Sequence, residues 1–227
     1  MAGRVVRVLV GCVAVGVLTV VAGCRPTGIA GEGPSTTAAP AGDGSIPVAD
    51  GHGWTSGGLD GTVPAAGSCH TRTAADGEAL PDPACTPGAV DAAVSDTDIS
   101  STVCRKGGYT DSVRPPESLT NAAKKKLMAA YGIPASKMSD YELDHFIPLN
   151  SGGASDIRNL WPEPNTTTLY TASSFVHNDK DRVEEYLYDA ICAHKVTVTA
   201  VQRAMDTDWT TAVSRLGLPA ILRRHGG

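Results

Sequence analysis

All seven lysines of this chain lie at or after Lys106, an asymmetry that sets the N-terminal third apart from ordinary globular sequence. From Arg25 to about Gly67 the residues are dominated by Gly, Ala, Pro, Ser and Thr. A segment of that kind buries too little apolar surface to offset the entropy of ordering it. The composition therefore predicts a disordered N-terminal tether, a flexible linker over residues 24–68. It confines the fold to a single domain over 69–217, with a short tail over 218–227 ending in Arg223, Arg224 and His225. A chain of 227 residues has room for one ordinary domain plus tails. Trp54 is the one aromatic side chain in the linker stretch, and the pattern gives it no role.

Arg4 and Arg7 precede an apolar run from Val8 to Val21, followed by the small residues Ala22 and Gly23 and then Cys24. This reads as an export signal over residues 1–23, too short for a comfortable membrane span of about 20 apolar residues. The sequence VAGC resembles the lipobox of bacterial lipoprotein signals. The resemblance implies cleavage before Cys24, acylation of its thiol, and anchoring to the outer face of the cytoplasmic membrane. An uncleaved anchor would also leave the rest of the chain outside the cytoplasm. With Cys12 removed and Cys24 lipidated, Cys69, Cys85, Cys104 and Cys192 remain, an even number that suits disulfides in an oxidising compartment. Four cysteines allow three pairings. Cys69 with Cys85 and Cys104 with Cys192 is favoured, the second tying the front of the domain to its main helix, but the sequence leaves the pairing open.

Two helices are readable from periodicity. Thr120 is a candidate N-cap for AAKKKLMAAYG, in which Ala123, Leu127, Met128 and Tyr131 share a face and Gly132 supplies the stop. His177 to His194 places Val183, Tyr186, Leu187, Ala190 and Ile191 at helical spacing, with Lys180, Asp181 and Glu184 on another face. A third helix is expected from about Thr199 toward Leu216. Between the first two, Tyr141 to Leu149 reads as a strand, SGGAS as a loop, and the stretch around Leu160 and Trp161 as a second strand.

Within YELDHFIPLNSGGASDIRNLWPEP, Asp144 and His145 stand side by side in an apolar strand, where a carboxylate and an imidazole need partners or a task. Neighbours in a regular strand face opposite ways, so the two can share a site only if the strand ends or bulges there. The ordered set DH, PL, GG, NL resembles the HNH endonucleases, also called ββα-metal or His-Me finger nucleases, with a core motif over residues 141–194. The resemblance implies an α+β domain in which a ββα-metal motif carries flanking helices. It also implies His145 as general base, Asn159 as the residue pinning the loop around it, and Asp144 and His177 as ligands of one divalent metal ion. A neutral imidazole can deprotonate water at neutral pH, and a metal offsets the charge that builds on the phosphate and the leaving oxygen. Mixed oxygen and nitrogen ligation would accept Mg, Mn, Zn or Ni. Asn178 or Asp181 are alternatives to His177, which lies further from Asn159 than in many relatives.

Arg158 and Lys180 are candidates for contacting substrate phosphate, together with Arg182, and Lys124 to Lys126 could do the same or form a solvated helix face. Glu142 and Glu163 read as surface or strand-edge residues, Trp161 as core. His52, His70, His194 and His225 show no partner pattern. From Cys85 onward 7 Lys and 8 Arg face 12 Asp and 5 Glu, so binding to nucleic acid, which is driven by phosphate neutralisation, should be modest and salt-sensitive. The function expected is metal-dependent cleavage of nucleic acid with little sequence preference; DNA is the favoured substrate, and the sequence leaves the choice between DNA and RNA open. The rival is an inactive HNH-like surface lipoprotein that binds a partner or serves a structural purpose.

Overall fold

The computed structural model describes residues 45–165 and 178–221. The export signal, Cys24, His177 and the tail from residue 222 therefore lie outside the described residues. The architecture is α+β, with four two-stranded sheets and five α-helices among the described residues. In chain order the strands and helices are β1 (Val48–Ala49), β2 (Trp54–Thr55), β3 (Gly58–Leu59), β4 (Arg72–Thr73), β5 (Ala79–Leu80), β6 (Val90–Asp91), α1 (Thr110–Val113), α2 (Glu117–Ala130), β7 (Tyr141–His145), β8 (Leu160–Pro164), α3 (Asp179–Cys192), α4 (Val198–Asp208) and α5 (Ala212–Arg215). β1 pairs in parallel with β6; β2 with β3, β4 with β5 and β7 with β8 are antiparallel.

The linker expected over 24–68 is corrected from residue 45 onward. Ala49 is buried beside Ala89 and Ala154, and Ser155 N donates to the His52 carbonyl at 2.8 Å. The Trp54 indole donates to the Val113 carbonyl at 2.7 Å, which gives that side chain its role. Leu59 and Val63 pack against Ala123, Leu127, Ile157 and Leu160. Small residues here do not signal disorder, because they let backbones approach: a Cβ on Gly53 would stand 2.7 Å from the Asp156 nitrogen.

α2 starts three residues before the expected cap. Pro116 is its N-cap, and Thr120 sits inside the first turn with its hydroxyl donating to the Glu117 carbonyl at 3.1 Å. Proline fixes φ near the helical value and lacks the N–H that a first turn leaves unused, so Pro115-Pro116 marks this start better than a threonine does. Gly132, at φ +68°, ends the helix as the sequence suggested. α3 begins with a reciprocal cap, Asn178 Oδ1 accepting from Asp181 N and Asp181 Oδ2 from Asn178 N, both at 3.1 Å. The third helix is broken rather than continuous. Thr197 caps α4, and Asp208 accepts from Thr210 N at 2.9 Å to restart the chain as a 3-10 turn before α5.

Leu187 and Ile191 of α3, Val201 and Met205 of α4 and Trp209 form the main core with Phe146, Leu149 and Trp161. Disulfides join Cys69 to Cys85 and Cys104 to Cys192, at sequence separations of 16 and 88. Closing loops of these lengths stabilises a fold by about 3 and about 4–5 kcal/mol in the chain-entropy account. The longer link fastens the segment leading into α1 to the end of α3. Both disulfides suit an oxidising environment, and no helix among the described residues is long and apolar enough to cross a membrane.

Asp206 on α4 yields a pH test of the packing. Burial pushes its carboxyl up to about 6 from 3.8, against a weaker opposing pull from Arg72. A raised carboxyl favours the fold while it is protonated, so its contribution is complete below about pH 4 and lost as pH rises through 6. Asp206→Asn removes the cost of the buried charge. With an allowance for the solvent that still reaches this side chain, unfolding in urea at pH 8 should show a gain of about 1 kcal/mol that shrinks toward pH 4. An equal gain at both pH values would contradict this reading.

Candidate active site

β7 and β8 place Glu142 opposite Glu163, Asp144 opposite Trp161 and His145 opposite Leu160. Because cross-strand partners share a face, Glu142, Asp144, Trp161 and Glu163 point one way. His145 is the last residue of β7, so the strand does end where the two neighbours must serve one site. Both line a cleft of about 890 Å³.

The loop between the strands is held from inside. Asn159 Oδ1 accepts from Ile147 N, and its Nδ2 donates to the carbonyls of Ile147 and Ala154, each at 2.9 Å. Gly153 pairs with Val90, and any Cβ there would collide with the Ile147 carbonyl, which accounts for the second glycine of the pair. The loop returns Ser155 to His145, with Oγ and Nε2 at 2.9 Å and both side chains buried. Nδ1 makes no hydrogen bond among the described residues, so in the tautomer in which Ser155 accepts from Nε2–H the Nδ1 lone pair is open. Burial holds the imidazole well below its usual range, to about 3; Asp144 opposes this, while Arg114 and Lys180 add to it. The ring is therefore neutral at physiological pH.

Lys180, expected as an exposed phosphate contact, is instead fully buried. Its ammonium donates to Asp144 Oδ2 at 2.8 Å, to the His145 carbonyl at 3.0 Å, and to Glu184 Oε1. Burial alone would lower its pKa, but Asp144, Glu184 and Glu163 more than reverse this and hold it well above the ordinary value. Asp144 Oδ2 also accepts from the Trp161 indole at 3.0 Å, while Oδ1 carries no N–H donor among the described residues. Trp161 is fully buried, in agreement with a core position.

The charges of Asp144, Glu163 and Glu184 act on this single ammonium, and Glu142 and Asp181 add theirs to the same group of acids. Burial, then the charges of Asp144 and Asp181, push Glu142 up to about 8. Burial likewise lifts Glu184 to about 8 against the pull of Lys180, and raises Glu163 beside Asp144. Glu163 is a correction to the surface reading: it is 3% exposed, and its Oε2 has no hydrogen-bond partner among the described residues. One cation cannot neutralise such a group, so protons or a further cation must supply the balance.

The remaining expected site residues divide clearly. Arg158, the other expected phosphate contact, lines neither main cleft. It chelates the buried Asp156 carboxylate, Nε at 2.9 Å and Nη2 at 2.6 Å, and so holds the loop instead. Asn178 is spent as the α3 cap and donates to Glu142 Oε1 at 2.6 Å. His177 lies outside the described residues. His52, which showed no pattern in sequence, meets Asp91 at 2.5 Å, and Tyr109 donates to the same carboxylate oxygen at 2.6 Å. Arg114 and Ser155 were not singled out by sequence reasoning. Neither has a local signature, because Arg114 stands about thirty residues before the Asp-His pair and Ser155 ten after it.

Among the described residues no three acid, histidine or cysteine side chains are arranged to hold a metal ion. The expected ligand set has only two protein members, one of them His177. Compared with family models, curated proteins and solved structures, the chain matches none.

Proposed function

We propose that this chain is an exported endonuclease of the HNH type, anchored through a lipidated Cys24, that hydrolyses phosphodiester bonds of DNA with little sequence preference. The observation that carries the reading is the end of β7: a neutral, buried imidazole backed by Ser155, one residue from a carboxylate lining the same cleft, with Asn159 stapling the loop that supports both. The succession β7, β8, α3 supplies the strand, strand and helix order of a ββα-metal motif.

His145 takes the proton of an attacking water at Nδ1 while Ser155 accepts from Nε2–H and fixes the ring. A phosphodiester anion beside the ring favours the imidazolium and so moves a strongly depressed base toward the range in which general bases work best. Lys180, through the His145 carbonyl and Asp144 Oδ2, holds the two neighbours in register. Asp144 and His177 would hold the divalent ion, and the excess of carboxyls over cationic side chains lining the cleft around Asp144 supports a cation there. Once bound, such an ion supplies charge stabilisation for the scissile phosphate and the leaving 3′ oxygen.

The rival, an HNH-like surface lipoprotein without activity, draws support from the cleft lining, in which Asp111, Glu142, Asp144, Asp181, Glu184 and Glu185 face a single arginine. Metal removal separates the two. The purified chain should nick supercoiled plasmid with Mg, Mn, Zn or Ni, lose all nicking in chelator, and regain it on dialysis and remetallation. Intact plasmid after remetallation with each of the four would refute the enzyme reading.

A further inference from the structure

We propose that Arg114 binds the phosphodiester backbone of the substrate beside His145, an inference that rests on the nuclease reading and names the group that holds the polyanion in an otherwise acidic cleft. Two clefts, of about 890 and 470 Å³, meet along the same side chains, and Arg114, Glu142, Leu143 and His145 line both. Arg114 is thus at the junction, where a strand of nucleic acid passing from one cleft to the other must cross the imidazole.

Its guanidinium is exposed and makes no hydrogen bond or ion pair among the described residues, although six carboxylates line the larger cleft with it. The other cationic side chain of the smaller cleft, Lys124, is committed to the Tyr141 carbonyl at 2.6 Å. An exposed arginine is often merely solvated, but this one is mounted on a rigid base. Arg114 N donates to the Thr110 carbonyl at 2.9 Å, and the next two residues are Pro115 and Pro116, which restrict Arg114 to its extended backbone. Val113 before it is buried and its carbonyl is taken by Trp54, while Cys104–Cys192 ties the approach to α1 back to α3. A planar fork on a fixed backbone beside the base is suited to donate to two phosphate oxygens.

The test is fluorescence anisotropy of a short fluorescein-labelled DNA duplex with the whole chain in calcium, across a salt series, for wild type, Arg114→Ala and Arg114→Lys. Arg114→Ala should weaken Kd about tenfold and reduce the slope of log K against log salt by about one. Arg114→Lys should keep the slope but recover only part of the affinity, because the charge returns without the fork. Unchanged Kd and slope in Arg114→Ala, with melting unchanged, would overturn the assignment, as would a wild type that does not bind the duplex. Binding with the expected Arg114 effect but no cleavage under any metal would sink the nuclease reading while leaving the phosphate contact in place. Cleavage with no Arg114 effect on binding would do the reverse.

Discussion

Replacing Lys180 by methionine is expected to lower the free energy of unfolding by about 3–5 kcal/mol, enough to unfold much of a marginally stable domain. Methionine matches the length of the side chain but donates nothing, so the Asp144 carboxylate, the Glu184 carboxylate and the His145 carbonyl all lose the same partner at once. The cost is the uncompensated burial of the acids more than the loss of any one bond. Glu184→Gln in the Lys180→Met background should recover part of it, because the double variant leaves one buried acid fewer without its partner. Urea unfolding measures both. A loss below about 1 kcal/mol, or strict additivity of the two changes, would mean that the carboxyls neutralise one another by sharing protons and that the lysine is incidental.

The fold was legible where side-chain periodicity governs packing. Leu127 and Met128 on α2, and Val183, Leu187 and Ile191 on α3, are buried as their spacing requires. The favoured pairing of the four cysteines is the one formed. Residues 45–68 were not legible, for a physical reason: they are held by backbone hydrogen bonds and glycine contacts to the Ser155–Asp156 loop and by scattered apolar contacts of Ala49, Leu59 and Val63, none of which makes a periodic pattern. Trp54, isolated in composition, was the one hint that this stretch is anchored.

At the site, the juxtaposition of Asp144 and His145 in an apolar strand was legible in the sequence itself, while the place of Asn159 came only from the resemblance to the HNH pattern. The charged side of α3 was misassigned. Lys180, Asp181 and Glu184 were placed on a face apart from the apolar one, with Lys180 a candidate phosphate contact, yet Lys180 turns inward onto Asp144 and Glu163 of the hairpin and pairs with Glu184. A charged helix stripe opposite a strand carrying acids at alternate positions can equally be a buried ionic layer, and only the tertiary packing distinguishes the two. Arg114 and Ser155 belong to the same class of omission, since long-range packing alone brings them to His145.

His145→Ala is expected to reduce phosphodiester cleavage by about a hundredfold to ten-thousandfold, the usual worth of a positioned general base. The ring is nearly buried and bonded to Ser155, so its removal also opens a small cavity, and loss of activity alone could reflect loss of structure. His145→Asn answers this, because an amide can keep a hydrogen bond to Ser155 but cannot act as a base at neutral pH. The decisive measurement is nicking of supercoiled plasmid by wild type, His145→Ala and His145→Asn at equal concentration in manganese, each with its melting temperature recorded. Nicking by the wild type, with at least a hundredfold loss in both folded variants, is the predicted result. Undiminished nicking by a folded His145→Asn would contradict it.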